Sequence, residues 1–424
     1  MLHPPSLLVS NAKRLVIAPL VFVASALAAC SDPPRTDASA DGATDAMAGD
    51  AASDSEGADA ATDVPFETAT HPPLVEIPDH GGARLAHPQV VFVTFAGDPR
   101  APAIEAFGRF VVGSTWLQTV GAEYGVSTGT FVAAVARPEN APAMVSDADA
   151  QTVIANGITD GSIPRPASGD LTQAVYVIFY PSSTTVTTAG PGGTVQHGCV
   201  DYFGYHTAAH RSGGLDFAYA VIPACQPSFA GVNMMEQVEF TTSHELIEAA
   251  TDADPARDPA WLFPPTQFDP WIAASSPEVA DLCVLEPEVF HEGGHALAPV
   301  WSNRIAHEGI DDPCIPLDPP AQPYINVSPE PSDEQFVAPG GSLMITLTGF
   351  SSAPVPDWRI ATNARGAFMP TMQLDTNMIN NGRTATLTVG IPADAPHGVN
   401  TIVYVYSQRS MTDYRIWPIV VGTI

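Results

Sequence analysis

The sequence predicts two folded parts. The first is an α/β (α+β) domain in which a twisted sheet carries one helix bearing a polar cluster. The second is an all-β, immunoglobulin-like sandwich. Three observations lead there. Between residues 89 and 223, β-rich apolar runs alternate with stretches of helical periodicity, the order that layers helices on a sheet. Residues 241–252 place an imidazole and several carboxylates on one helical arc. Beyond residue 323, only short apolar–polar alternations occur, separated by turn residues, as in a sandwich.

The chain opens on a targeting segment. Lys13 and Arg14 precede an apolar run over residues 15–29 that is short for a membrane span. It closes on Leu27-Ala28-Ala29-Cys30, which resembles a bacterial lipobox. The resemblance implies a signal peptide over 1–29, lipidation of Cys30, and export to the bacterial cell envelope with membrane attachment through that lipid. Residues 30–71 are rich in Ala, Asp, Ser, Gly and Thr. Such a stretch buries too little apolar surface to offset ordering entropy and should be a disordered acidic tether. The 424 residues carry 16 Lys and Arg against 46 Asp and Glu, a formal charge of −30. A field of that sign excludes nucleic acid as a partner.

Residues 72–317 are expected to form the first domain. Gln89–Phe95, residues 131–135, Ala174–Tyr180 and residues 217–223 read as strands. Residues 102–120 have Ile104, Phe107, Phe110, Val111 and Leu117 near helical spacing, with a proline suited to the first turn. Residues 147–157 read as a helix capped by Asp147 and stopped by Gly157. Residues 254–277, rich in Pro and Trp, read as an irregular loop wrapping the site. Four cysteines besides Cys30 suit an oxidising compartment. Sequential pairing, Cys199–Cys225 and Cys283–Cys314, closes two short loops and is the connectivity expected among three.

The helix over 241–252 carries the chemistry. At about 100° per residue, His244, Glu248 and Asp252 share an arc with Glu245 at its edge, while Leu246, Ile247, Ala249 and Ala250 fill the opposite side. His at i and a carboxylate at i+4 can both ligate one ion. Glu245 occupies the place of the general base in His-Glu-x-x-His enzymes. Here Glu248 replaces the second His, so zinc is favoured but calcium or manganese also suits a carboxylate-rich site. Thr242-Ser243-His244-Glu245 also fits a capping box, yet Met235 and Val238 carry the helical stripe further back. Other ligands must come from elsewhere: Glu278 leads, with Asp281 and Asp252 behind it. Among the remaining histidines His206 is a lesser candidate, since a lone His is more often a hydrogen-bonding residue.

Taken in order, Tyr205-His206-Thr207, Tyr219 to Pro223, Ser243 to Asp252, Glu278 to Cys283 and Trp301-Ser302-Asn303 resemble the Exordium/phosphate-induced-protein family and bacterial exported proteins sharing its His-Glu-x-x-Glu core. The resemblance implies a zincin-like fold with a metal site at His244, Glu245, Glu248 and the 278–281 segment. The reading of function is therefore a surface-tethered metal-dependent hydrolase, metallopeptidase-like, acting on peptide or protein through water activated by Glu245. The alternative is a non-catalytic surface or adhesion protein with a structural ion. Residues 318–424, following a Pro-rich linker, are the expected spacer or adhesion module. Trp358 and Tyr414 there could face a ligand, but core packing is the ordinary role.

Overall fold

The computed structural model describes residues 65–211, 215–229, 231–317 and 322–424. The expected signal peptide, Cys30 and the tether up to residue 64 lie outside the described residues.

The protein is mixed α and β, with a β-rich C-terminal region. Its first part is organised on a sheet of five strands: β1 (Gln89–Phe95), β2 (Thr130–Arg137), β3 (Ala174–Tyr180), β4 (Tyr205–Arg211) and β5 (Leu215–Pro223). Their order is β2-β1-β3-β5-β4. The first four of that order run parallel, and β4 closes the edge antiparallel to β5. Strand β3 is buried along its whole length, as expected of a parallel strand covered on both faces.

Side-chain alternation divides the core. Val91, Val93, Tyr176 and Ile178 pack with Ile154 and Ile158 of helix α3 (Asp147–Asp160) on one face. Phe92, Val175, Val177 and Phe179 face the other way. They join Phe107 of α1 (Ala101–Val111), Leu117 of α2 (Thr115–Gly121) and Leu246 of α4 (Met234–Thr251). The single helix expected over 102–120 is thus two. Ser114 takes extended geometry and its side chain accepts from Leu117 N–H, which starts a new helix rather than continuing the old one.

Helix α4 begins at a true capping box. Asn233 accepts from Met235 and Glu236 N–H, and Glu236 accepts from Asn233 N–H. Thr242 and Ser243 instead turn their hydroxyls back to Val238 and Phe240 carbonyls, the bonding of helix-interior residues. Every residue from Gln237 to Thr251 is buried. One buried and one displayed face was the expectation; in the fold, β4 and the later 278–301 chain cover the polar side.

The C-terminal part has two sheets. One orders Ile325–Glu330, Ser342–Ser351, Thr384–Gly390 and Thr371–Leu374; the other orders Gln335–Val337, Tyr414–Thr423, Asn400–Gln408, Trp358–Gly366 and Met378–Ile379. Neighbours are antiparallel except Gln335–Val337, which runs parallel to Tyr414–Thr423. Ile345, Leu347, Leu387, Val403, Val405 and Ile419 are fully enclosed, and Trp358 is a buried core residue at 3 % exposure rather than a surface aromatic. The two parts meet closely. Trp271 and Trp417 lie 5.5 Å apart between ring centroids, and Arg415 reaches into a carboxylate cluster of the first part. Residues 69 and 71, expected to belong to the disordered tether, are instead held against the C-terminal part: His71 stacks on Phe350 at 3.9 Å, and Ala69 N–H donates to Asn381.

Cys199 pairs with Cys225 and Cys283 with Cys314, the sequential connectivity, consistent with an extracellular protein. Among the described residues, no helix is long and apolar enough to cross a membrane.

Candidate metal centre

Three pieces of chain converge on α4: strand β4, the turn at 278–281, and the segment 295–301. Each is fixed by bonds of its own. Glu239 of α4 accepts from Ala296 N–H and pairs with His295 at 2.8 Å, and Ser243 accepts from Ala298 N–H. Trp301 N–H then donates to Val279 O at 2.9 Å. Together with the Cys283–Cys314 bridge, these bonds hold the 278–281 turn over the C-terminal half of α4. On the other side, Gly204 brings β4 against the helix. A Cβ there would lie 2.7 Å from Thr241 Cγ2 and 2.8 Å from Glu245 Oε1, so no larger residue fits without moving Glu245.

Two clusters result. In the first, His244 Nε2 stands 3.2 Å from Glu248 Oε1 and 3.4 Å from Asp281 Oδ1, and Asp281 N–H donates to Glu248 Oε1 at 3.1 Å. In the second, His206 Nδ1 stands 3.5 Å from Glu245 Oε2 and 3.6 Å from Glu248 Oε2. Each supplies one imidazole and two carboxylates that could hold a metal ion, and Glu248 belongs to both. Donors about 2.1 Å from a tetrahedral ion are about 3.4 Å from one another. The imidazole–carboxylate distances of both clusters, 3.2–3.6 Å, are close to that spacing, and all the donor atoms of each lie within 4.8 Å of one another.

The electrostatics point the same way. His206 is 8 %, His244 9 %, Glu245 5 % and Glu248 3 % exposed. Burial works to depress the two imidazoles, yet Glu278, Glu245 and Glu248 hold His206 well above its ordinary range, and Glu248, Asp281 and Glu245 do the same for His244. Burial and the neighbouring Asp281 push Glu248 well up, against the pull of His244. Four carboxylates, two of them buried and two half-buried, gather around two buried imidazoles, a costly arrangement unless bound protons or a cation balance the charge. The donor set fits a divalent ion.

The expected residues divide as follows. His244, Glu248 and Asp281 come together. Glu278, the leading candidate for the third ligand, turns instead to His206, its Oε1 being 3.2 Å from Nε2. Its N–H donates to Asp281 Oδ2 at 3.3 Å. Asp252 stands outside both clusters. It caps α4, and its Oδ1 accepts from Ala260 N–H at 3.0 Å, fixing the loop after the helix; burial pushes its pKa up to about 6. His206 gained its place through an edge strand whose sequence, Tyr-His-Thr-Ala-Ala-His-Arg, has too little apolar alternation to announce itself. A third group, Glu286, Asp312 and Cys314, is already engaged, since Cys314 is in a disulfide and Arg415 forms ion pairs with both acids.

No family model and no curated protein matches the chain. Among solved structures, domains 4 and 5 of the S-layer protein SbsC are 18 % identical over 24 % of this chain and 54 % of that one, with a TM-score of 0.18. A family 123 glycoside hydrolase from Clostridium perfringens is 8 % identical over 22 % of each chain, with a TM-score of 0.18. A nucleoside hydrolase-related hypothetical protein from Saccharophagus degradans is 9 % identical over 80 % of this chain and 100 % of that one, at a TM-score of 0.27. The chain thus spans about half of the first structure's length and about a fifth of the second's. Likenesses at these TM-scores carry no argument about fold or activity.

Proposed function

We propose that this is an exported, lipid-anchored hydrolase of zincin-like type, in which His244, Glu248 and Asp281 hold one divalent ion and Glu245 is the general base. The observation that carries the reading is the trio itself: buried His244 and Glu248, one turn apart on a helix that also bears Glu245, with half-buried Asp281 brought within 3.4 Å of the same imidazole nitrogen. Three protein ligands with a position left open are the donor set of catalytic zinc, whereas calcium takes six to eight oxygens. Zinc is therefore favoured.

An ion held there would polarise a carbonyl and make water more acidic. Glu245 accepts the proton as water attacks and passes it to the leaving group. Peptide or protein is the substrate class this reading favours, because β4 is the edge strand of its sheet and lies beside the cluster, and a sheet edge is where extended chain can add. A parallel sheet with an antiparallel edge strand and a His-Glu-x-x-Glu helix beneath it supports the zincin-like assignment, and the two facing sheets support an immunoglobulin-like spacer. Cys30 would anchor the protein through lipid.

One observation favours a second reading, a non-catalytic surface protein with a structural ion: both imidazoles are more than nine-tenths buried. Glu245→Gln separates the two. Under the hydrolase reading it abolishes peptide hydrolysis, losing roughly 100-fold or more, while ion content and fold persist. Unchanged hydrolysis by the variant removes Glu245 from the chemistry; no hydrolysis by the parent protein across peptide libraries favours the structural ion.

A further inference from the structure

The hydrolase reading uses His244, Glu248, Asp281 and Glu245, and leaves His206 and Glu278 unexplained. We propose that His206, Glu245 and Glu248 form a second divalent-cation site that shares Glu248 with the first and, when filled, ties up the general base. The inference rests on the reading above and adds regulation of that centre by cation concentration.

Three observations support it. The first is geometry: His206 Nδ1 lies 3.5 Å from Glu245 Oε2 and 3.6 Å from Glu248 Oε2. That is long for a charge-assisted hydrogen bond, which closes to about 2.7–2.9 Å, and close to the donor–donor edge of about 3.4 Å around an ion. Glu248 turns Oε1 to the first cluster and Oε2 to the second, the bridging arrangement of two-metal centres.

The second is the far side of His206. Nε2 is buried without an aligned hydrogen bond, and Glu278 Oε1, also without one, stands 3.2 Å away. A carboxylate on the other nitrogen is what orients an imidazole that ligates a metal.

The third is charge. Fully ionised, Glu245, Glu248, Glu278 and Asp281 bring four negative charges; one divalent ion on the first cluster leaves two, and His206 as imidazolium offsets one of these, so the buried site stays one charge short. A second divalent ion with neutral imidazoles brings the sum to zero. Because Glu245 is both a donor to this second ion and the base of the proposed reaction, filling the second site withdraws the base. Hydrolysis should rise as the first ion binds and fall as the second does.

The test uses zinc alone on metal-free protein comprising residues 31–424. Isothermal titration, with metal analysis after dialysis, should give two ions per chain. His206→Gln should bind one, and Asp281→Asn should lose the other. With cobalt, paramagnetic resonance should show coupling between two ions through Glu248, absent in His206→Gln. Should His206→Gln misfold, Glu278→Gln serves instead, weakening the second site by about 10–100-fold while sparing the first. One ion in the parent, untouched by His206→Gln and lost in Asp281→Asn, overturns the second site and leaves the hydrolase reading standing. No ion bound at all overturns both.

Discussion

Arg415→Met should weaken the fold strongly. Arg415 is 4 % exposed. Its guanidinium donates to Asp312, lies 2.8 Å from Glu288 and 3.4 Å from Glu286, and bonds the Tyr414 carbonyl. Burial pushes all three acids up, with Arg415 opposing that shift. Methionine removes the cation and leaves the acids in place. Breaking a buried pair on one side costs about 3–5 kcal/mol, which for a protein of this size corresponds to a melting point lower by about 4–7 °C. The sign of the pH dependence follows from the acids. As pH falls they take up protons more readily in the variant, so the deficit should be largest near neutrality and shrink toward pH 5. Calorimetry and denaturant titration at both pH values measure it, and Asp312→Asn in the variant background should recover part of the loss. A change below about 2 °C, or one that is flat with pH, would refute the view that Arg415 neutralises the junction.

Other changes report on the site. Asp252 has its pKa raised from 3.8 to about 6, so folding is penalised as pH rises through that window and the penalty is complete above it. Asp252→Asn in metal-free protein should therefore gain up to about 3 kcal/mol at pH 7.5 relative to its effect at pH 3.5, read by denaturant unfolding; an equal effect at both pH values contradicts the assignment. Gly204→Ala should displace Glu245, whose Oε1 would meet the new methyl at 2.8 Å. Hydrolysis should drop by at least about 10-fold with zinc at the first site retained. Wild-type turnover in this variant would mean that β4 yields freely.

How much could be read from the chain depended on whether a segment's chemistry was written in its local pattern. Strands β1 and β3 are continuous β-branched and aromatic runs and appear at their expected bounds, Gln89–Phe95 and Ala174–Tyr180. The cysteine pairing and the association of the 278–281 segment with α4 were legible from order along the chain. The start of α4 was legible only in part, because the stripe pointed backwards from residue 242 without marking Asn233 as the cap. Helix α4 did not reveal that it is buried all round, since its covering comes from chain far away in sequence. Strand β4 escaped for the opposite reason: only His206 and Ala209 of its seven residues are buried, so there is no alternation to detect. That Asp281 rather than Glu278 lies beside His244 could not be read either, since it depends on the local turn, in which Glu278 N–H bonds the Asp281 carboxylate.

The most direct test of the central claim is anomalous diffraction at the zinc edge from crystals of protein reconstituted with zinc. The account predicts a strong peak among His244 Nε2, Glu248 and Asp281, at about 2.0–2.2 Å from each donor. No peak there after reconstitution, or one only at surface histidines, would contradict it.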